Sequence, residues 1–150
     1  MEVDVKPVLA TAGCFLVGAV ILMAAQPHSP SSPQPYKVVF DLTTDDPLDQ
    51  AAVVRWLREV ASVNSQSEME VVMYGRGLSL VIPGRSTQAD AVKEALGQPR
   101  VSFKVCEIAM RNQKVDRSQL LPGVATVPDG IGEIVARQRD GWGYIKAVAH

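Results

Sequence analysis

The stretch Val101 to Asn112, VSFKVCEIAMRN, decides how the rest of the chain is read. Val101, Phe103 and Val105 alternate with Ser102 and Lys104, the period-2 pattern of a strand, and a polar, helix-tolerant run follows Cys106. Cys106 therefore falls where a strand ends and a helix begins. In an open α/β sheet ligands bind beyond the carboxyl ends of the strands, and a helix N-terminus there favours an anion such as a thiolate. Cys106 is the only cysteine outside the apolar N-terminal stretch. Two readings fit that position: a working thiol, or a small buried apolar residue closing a strand. Lys104, Arg111 and Lys114 stand nearby as cations that would favour a thiolate.

Outward from this point, strand and helix signals alternate. Tyr36 to Leu42, YKVVFDL, is rich in β-branched and aromatic residues and reads as a first strand ending in the polar turn Thr43 to Asp46. Asp46-Pro47 reads as an N-cap followed by proline at the first helical position. Val53, Trp56, Leu57 and Val60 then give that helix an apolar face that ends near Asn64. Glu68 to Tyr74 reads as a second strand leading into Gly75-Arg76-Gly77. Two glycines at a strand's carboxyl end permit close backbone approach to a ligand, and a plain turn is the competing reading; the GxGxxG pattern of dinucleotide binding is absent. Ser86 or Thr87 is expected to cap a helix bearing Ala89, Val92, Ala95 and Leu96, closed by Gly97.

Beyond Cys106, Ala109 to Leu121 reads as one or two short helices stopped by Pro122-Gly123. Val124 to Val127 is a short fourth strand, and Ile131, Ile134 and Val135 are expected to face inward from a helix ending at Gly141. GWGYIKAV, from Gly141, is a fifth, edge strand. The alternation implies a three-layer α/β/α domain with a mostly parallel sheet of about five strands. The first three strands would then bring Asp41 to Asp45, Gly75 to Gly77 and Cys106 to one rim.

The N-terminal region is of another kind. VLATAGCFLVGAVILMAA, residues 8–25, holds 18 residues without a charge, and as a helix of about 27 Å it would nearly match a bilayer core. It reads as a transmembrane helix or uncleaved signal anchor after a short flank, residues 1–7. A cleaved signal peptide is the competing reading, with Leu22 and Met23 matching an A-x-A site poorly. Lys6 precedes the span and no Lys or Arg follows until Lys37, which favours a single-pass protein of the bacterial inner membrane with a cytoplasmic N-terminus and a periplasmic domain. Ala10, Cys14 and Gly18 form a small-residue stripe at i, i+4 and i+8 that would let another helix approach closely. Residues 26–35, QPHSPSSPQP, read as a semi-extended linker, and the domain occupies residues 36–150.

Composition excludes several function classes. A net charge of −1, with no aromatic residues interleaved among Lys and Arg, argues against nucleic-acid binding. Two cysteines, one per region, make no disulfide framework. Without a CxxC or His/Cys cluster, and with His28 in the linker and His150 last, no metal or other cofactor is expected.

From Tyr36 to Lys146 the chain resembles the DsrE/DsrF-like family of small sulfur-handling proteins. KVVFDLTTDDP, YGRGL, VCEIAMRNQKV, LLPGVATVPDGIGEIVARQ and GWGYIK occur in that family's order. The resemblance implies a compact α/β fold, homo-oligomers and, in the best understood members, a cysteine that accepts sulfur as a persulfide and hands it on; Cys106 falls on that cysteine. Relatives of this kind usually read Cys-x-Asn-Thr-Met, whereas Ile108 and Ala109 precede Met110 here. Two functions are therefore expected. In one, a membrane-anchored DsrE-like protein carries sulfur or senses redox state at Cys106, with Lys104 and Arg111 holding the thiolate and an anionic sulfur substrate, and Gly75 and Gly77 offering backbone N–H groups. In the other, the chain is a non-catalytic accessory subunit of a larger membrane complex, docked through the Ala10, Cys14 and Gly18 stripe.

Overall fold

β-branched and aromatic runs of six residues build the first three strands: β1 (Lys37–Leu42), β2 (Glu68–Met73) and β3 (Val101–Cys106). With β4 (Ala125–Val127) and β5 (Gly143–Lys146) they form one parallel sheet in the order β4-β3-β2-β1-β5. Between them run α1 (Pro47–Val63), α2 (Ala89–Leu96), α3 (Glu107–Gln113) and α4 (Gly130–Arg139). The computed structural model describes residues 34–148. The apolar stretch at 8–25, with Ala10, Cys14 and Gly18, lies outside the described residues. Among the described residues no helix is long and apolar enough to cross a membrane.

The topology follows from the handedness of parallel crossovers. The chain steps from β1 through β4 in one direction, then α4 carries it back to lay β5 against β1, so right-handed connections place α1 and α2 on one face and α4 on the other. On the first face Val38, Phe40, Leu42, Val71 and Phe103 bury against Val53, Val54 and Leu57 of α1 and Val92 of α2. Trp56 stacks on Phe40 with ring centroids 6.1 Å apart. Asp46 caps α1 as expected, its carboxylate accepting the Leu48 N–H at 2.8 Å, with Pro47 at the first helical position.

The opposite face is charged at its centre. Val39 and Val72 meet Ile134 of α4 there, but Glu70 and Lys104 lie on the same face and draw Glu133 and Arg137 inward. This corrects the expectation that Ile131, Ile134 and Val135 all face the core. Only Ile134 is buried; Ile131 and Val135 are exposed because the inward positions of α4 go to charged partners. The start of α2 also differs. Gln88 occupies its N-cap without a side-chain cap, and Ser86 instead accepts the Gln88 N–H at 3.0 Å, a local turn that ends before the helix begins. A 3-10 turn at Gly77–Val81, which buries Leu78 and Leu80, was not expected from the pattern.

Candidate functional site

Parallel pairing determines which residues emerge together at the carboxyl rim. Met73 pairs with Val105, so Tyr74 and Cys106, one residue further on, leave the sheet side by side. Cys106 also pairs with Val127, two residues before the Asp129 that caps α4. The first residue of that helix is Gly130. A Cβ there would stand 3.1 Å from the Cys106 Cβ and 3.4 Å from the Tyr74 Cβ, so the absence of a side chain is what lets α4 begin against both residues. Cys106 itself is the residue before α3, with extended backbone. Its thiol is buried, and it is the free cysteine of the described residues.

Beside Cys106 opens a cavity of about 230 Å³. Tyr74 and Gly75 form one wall, and Ile108, Ala109, Asn112 and Gln113 of α3 form the second. Asp129 and Ile131 at the start of α4 form the third. Gly75 adopts φ +54°, and the Gln113 side-chain amide donates to its carbonyl, tying the turn after β2 to α3. Ile108 and Ile131 are 42% and 59% exposed, which sets two aliphatic side chains at the lip of this cavity.

The other residues singled out from the sequence have different surroundings. Lys104 shares the Cys106 face of the sheet, yet its ammonium is held 3.0 Å from Glu70 and 2.6 Å from Glu133. Arg137 completes the cluster at 2.9 Å from Glu70 and 3.0 Å from Glu133. Burial acts to raise the Glu133 carboxyl, but the Lys104 hydrogen bond and the Lys104 and Arg137 charges bring it below its ordinary value. Arg111 lines a separate depression with Glu107 and Thr126. Gly77 does not line the cavity: a Cβ on it would lie 2.1 Å from the Leu42 carbonyl oxygen, so the turn packs directly on the end of β1. Of the sequence candidates, Cys106 and Gly75 line one cavity; Lys104, Arg111 and Gly77 do not line it.

Two further side chains complete the rim: Asp41, expected there as the end of the first strand, and Asp129, which the sequence reading did not name. Asp41 is buried, and its Oδ2 accepts from the Tyr74 hydroxyl at 3.2 Å, the Tyr144 hydroxyl at 2.7 Å and the Lys146 ammonium at 3.2 Å. Burial, together with the Asp41 charge and hydrogen bond and the Cys106 charge, raises the Tyr74 phenol above its usual range. The Asp41 hydrogen bond, with burial, pushes Tyr144 up to about 12. Asp129 is the second: its carboxylate caps α4 by accepting the Ile131 N–H at 3.0 Å while lining the Cys106 cavity. Asp129-Gly130 is legible in the sequence as a cap before a helix, but its approach to Cys106 depends on the β3–β4 pairing.

A solved structure described as a protein of unknown function, MTH1491 from Methanobacterium thermoautotrophicum, is 33% identical over 74% of this chain and 98% of its own, with a TM-score of 0.70. The chain belongs to the MTH1491 family. The E. coli ychN protein (12% identity, TM-score 0.61, 76% of this chain and 99% of its own) shares the fold. So does the Bacteroides thetaiotaomicron protein of unknown function BT1422 (16% identity, TM-score 0.56, 73% and 93%). These are proteins of DsrE-like fold, which agrees with the resemblance read from the sequence at the level of architecture. No family model matches the chain, and no curated protein matches it.

Proposed function

We propose that this member of the MTH1491 family is a sulfur-handling protein in which Cys106 takes up a sulfane sulfur as a persulfide and passes it on. The observation that carries the reading is the placing of a buried, unpaired thiol at the carboxyl end of β3, between two helix starts and beside a small cavity. A helix start supports a thiolate there, and burial protects a persulfide from water and oxidants. On this reading residues 8–25 anchor the domain to the bacterial inner membrane, with the domain on the periplasmic side.

The test is mass spectrometry of the Cys106 peptide from protein isolated from its native membrane in mild detergent. A mass increase of one sulfur, lost on treatment with dithiothreitol and absent from Cys106→Ser of unchanged stability, is the expected result. A second reading, an accessory subunit, draws support from the two exposed isoleucines at the lip, Ile108 and Ile131, which suit a protein partner. An unmodified Cys106 together with a membrane protein co-purifying in fixed ratio would favour that reading over the first.

A further inference from the structure

Among the described residues, the walls of the Cys106 cavity carry a negative charge and no positive one. Asp129 is the only carboxylate among the lining residues, and no Lys, Arg or His lines the space. Of the nearby cations, Lys104 is held by Glu70 and Glu133, Lys146 by Asp41 and Thr43, and Arg76 by Asp45, while the exposed Lys114 does not line the space. Arg111 faces the separate depression beside Glu107. The Tyr74 hydroxyl donates its hydrogen bond to Asp41, and the Ile131 N–H in the first turn of α4 donates to Asp129 itself. Ile108, Ala109 and Ile131 add apolar surface, and the other two α3 side chains, Asn112 and Gln113, are uncharged, the Gln113 amide already donating to the Gly75 carbonyl.

An entering anion would therefore lose water, meet a carboxylate and gain no cation, whereas an uncharged group would lose little. We propose that the cavity selects uncharged sulfane-sulfur donors over sulfur oxyanions such as thiosulfate, and that Asp129 is the residue that sets this discrimination. The proposal rests on Cys106 being a working thiol and reverses the expectation of an anionic substrate. In the step it implies, the Cys106 thiolate attacks the outer sulfur of a protonated persulfide, R–S–S–H. The Cys106 S–S bond forms as the donor S–S bond breaks, the electron pair leaves on R–S⁻, and the outer sulfur keeps its proton. No external oxidant or reductant enters. The same attack on thiosulfate would have to bring in a dianion and expel sulfite past Asp129.

Two alkylating probes with the same leaving group separate charge from reactivity: neutral iodoacetamide and anionic iodoacetate. Their rates at the Cys106 peptide of the full chain, read by mass spectrometry at pH 7, are compared between folded protein and protein unfolded in urea. Cys106 and Asp129 line the same cavity; taking a separation of about 6 Å and an effective dielectric of about 40, a carboxylate disfavours an anionic probe by about tenfold. The expected result is an iodoacetamide-to-iodoacetate rate ratio about tenfold larger in the folded than in the unfolded chain. Asp129→Asn, which keeps an N-cap side chain, should bring the folded ratio to within about threefold of the unfolded one; Asp129→Ser checks the same point with a second capping residue. An equal ratio in folded and unfolded wild-type chain, or a ratio unmoved in both variants, overturns the discrimination while leaving the thiol active. Failure of both probes in the folded chain removes the working thiol, and the proposal with it.

Discussion

Replacing Lys104 with Met tests whether this lysine holds α4 on the sheet or serves the thiol. Its ammonium, 18% exposed, lies 3.0 Å from a Glu70 side chain that is 1% exposed. At an effective dielectric of about 20, a unit-charge pair at that distance is worth about 5 kcal/mol before desolvation is counted. Removing one partner of a buried pair costs about 3–5 kcal/mol because the other charge is stranded. Arg137 stays 2.9 Å from Glu70, so the charge is only half abandoned and the lower end applies. Met preserves the length of the side-chain stem, which confines the change to charge. Lys104→Met is expected to lose about 3 kcal/mol in urea unfolding, with recovery of part of that loss when Glu70→Gln is added. The iodoacetamide rate at Cys106 in the folded protein should stay within about twofold of wild type, since Lys104 is locally neutralised by Glu70 and Glu133. A loss below about 1 kcal/mol together with a tenfold slower thiol would refute the argument and return Lys104 to the cysteine.

Two further outcomes follow from the geometry. Gly77→Ala would force a Cβ to 2.1 Å from the Leu42 carbonyl, a contact neither backbone can relieve in place, so we expect a loss of about 3 kcal/mol or more in urea unfolding. A loss under about 1 kcal/mol would show that the turn is free to shift. At alkaline pH the Tyr144 phenol, at about 12 against an ordinary 10.0, gives up its proton later folded than unfolded. Its contribution is therefore fully present below pH 10 and is lost as pH rises through about 12. Absorbance titration near 295 nm should show a phenol missing from the transition near 10 that Tyr144→Phe removes from the late one; unchanged titration curves in the variant would contradict the Asp41 hydrogen bond.

The alternation of strands and helices was legible because each strand carries period-2 or continuous apolar residues and each helix a separate apolar stripe. Asp46-Pro47 announced the start of α1 through local chemistry alone, and Cys106 announced its own place at a strand end. What escaped was set by pairing between distant segments. Nothing local to Lys104 reveals that Glu70, Glu133 and Arg137 will surround it, so a cation two residues from a cysteine reads as the thiol's partner. Ile131 and Val135 looked inward for the same reason: periodicity finds an apolar stripe but cannot know that the sheet beneath is charged. Asp129 and Tyr74 join Cys106 only through the β2–β3 and β3–β4 register. Ser86 misplaced the start of α2 because the same hydroxyl that caps helices also closes turns.

The position of β5 gives the domain an order of assembly. Strands β1 to β4 lie next to one another in the sheet in the order in which they are synthesised, so a growing chain can pair each as it leaves the ribosome. The Asp41 carboxylate, already committed to the interior of the second-face layer by its place in β1, receives Tyr144 and Lys146 only 103 and 105 residues later, when the Ala147 N–H also closes on the Asp41 carbonyl at 2.8 Å. Until then the Asp41 carboxylate stands on an open edge strand without the cation that faces it in the finished domain. Completion of the fold is thereby tied to translation of its last described strand, and a product stopped short of Gly143 carries an open β1 edge, the kind of unpaired strand that makes an unfinished chain prone to aggregate.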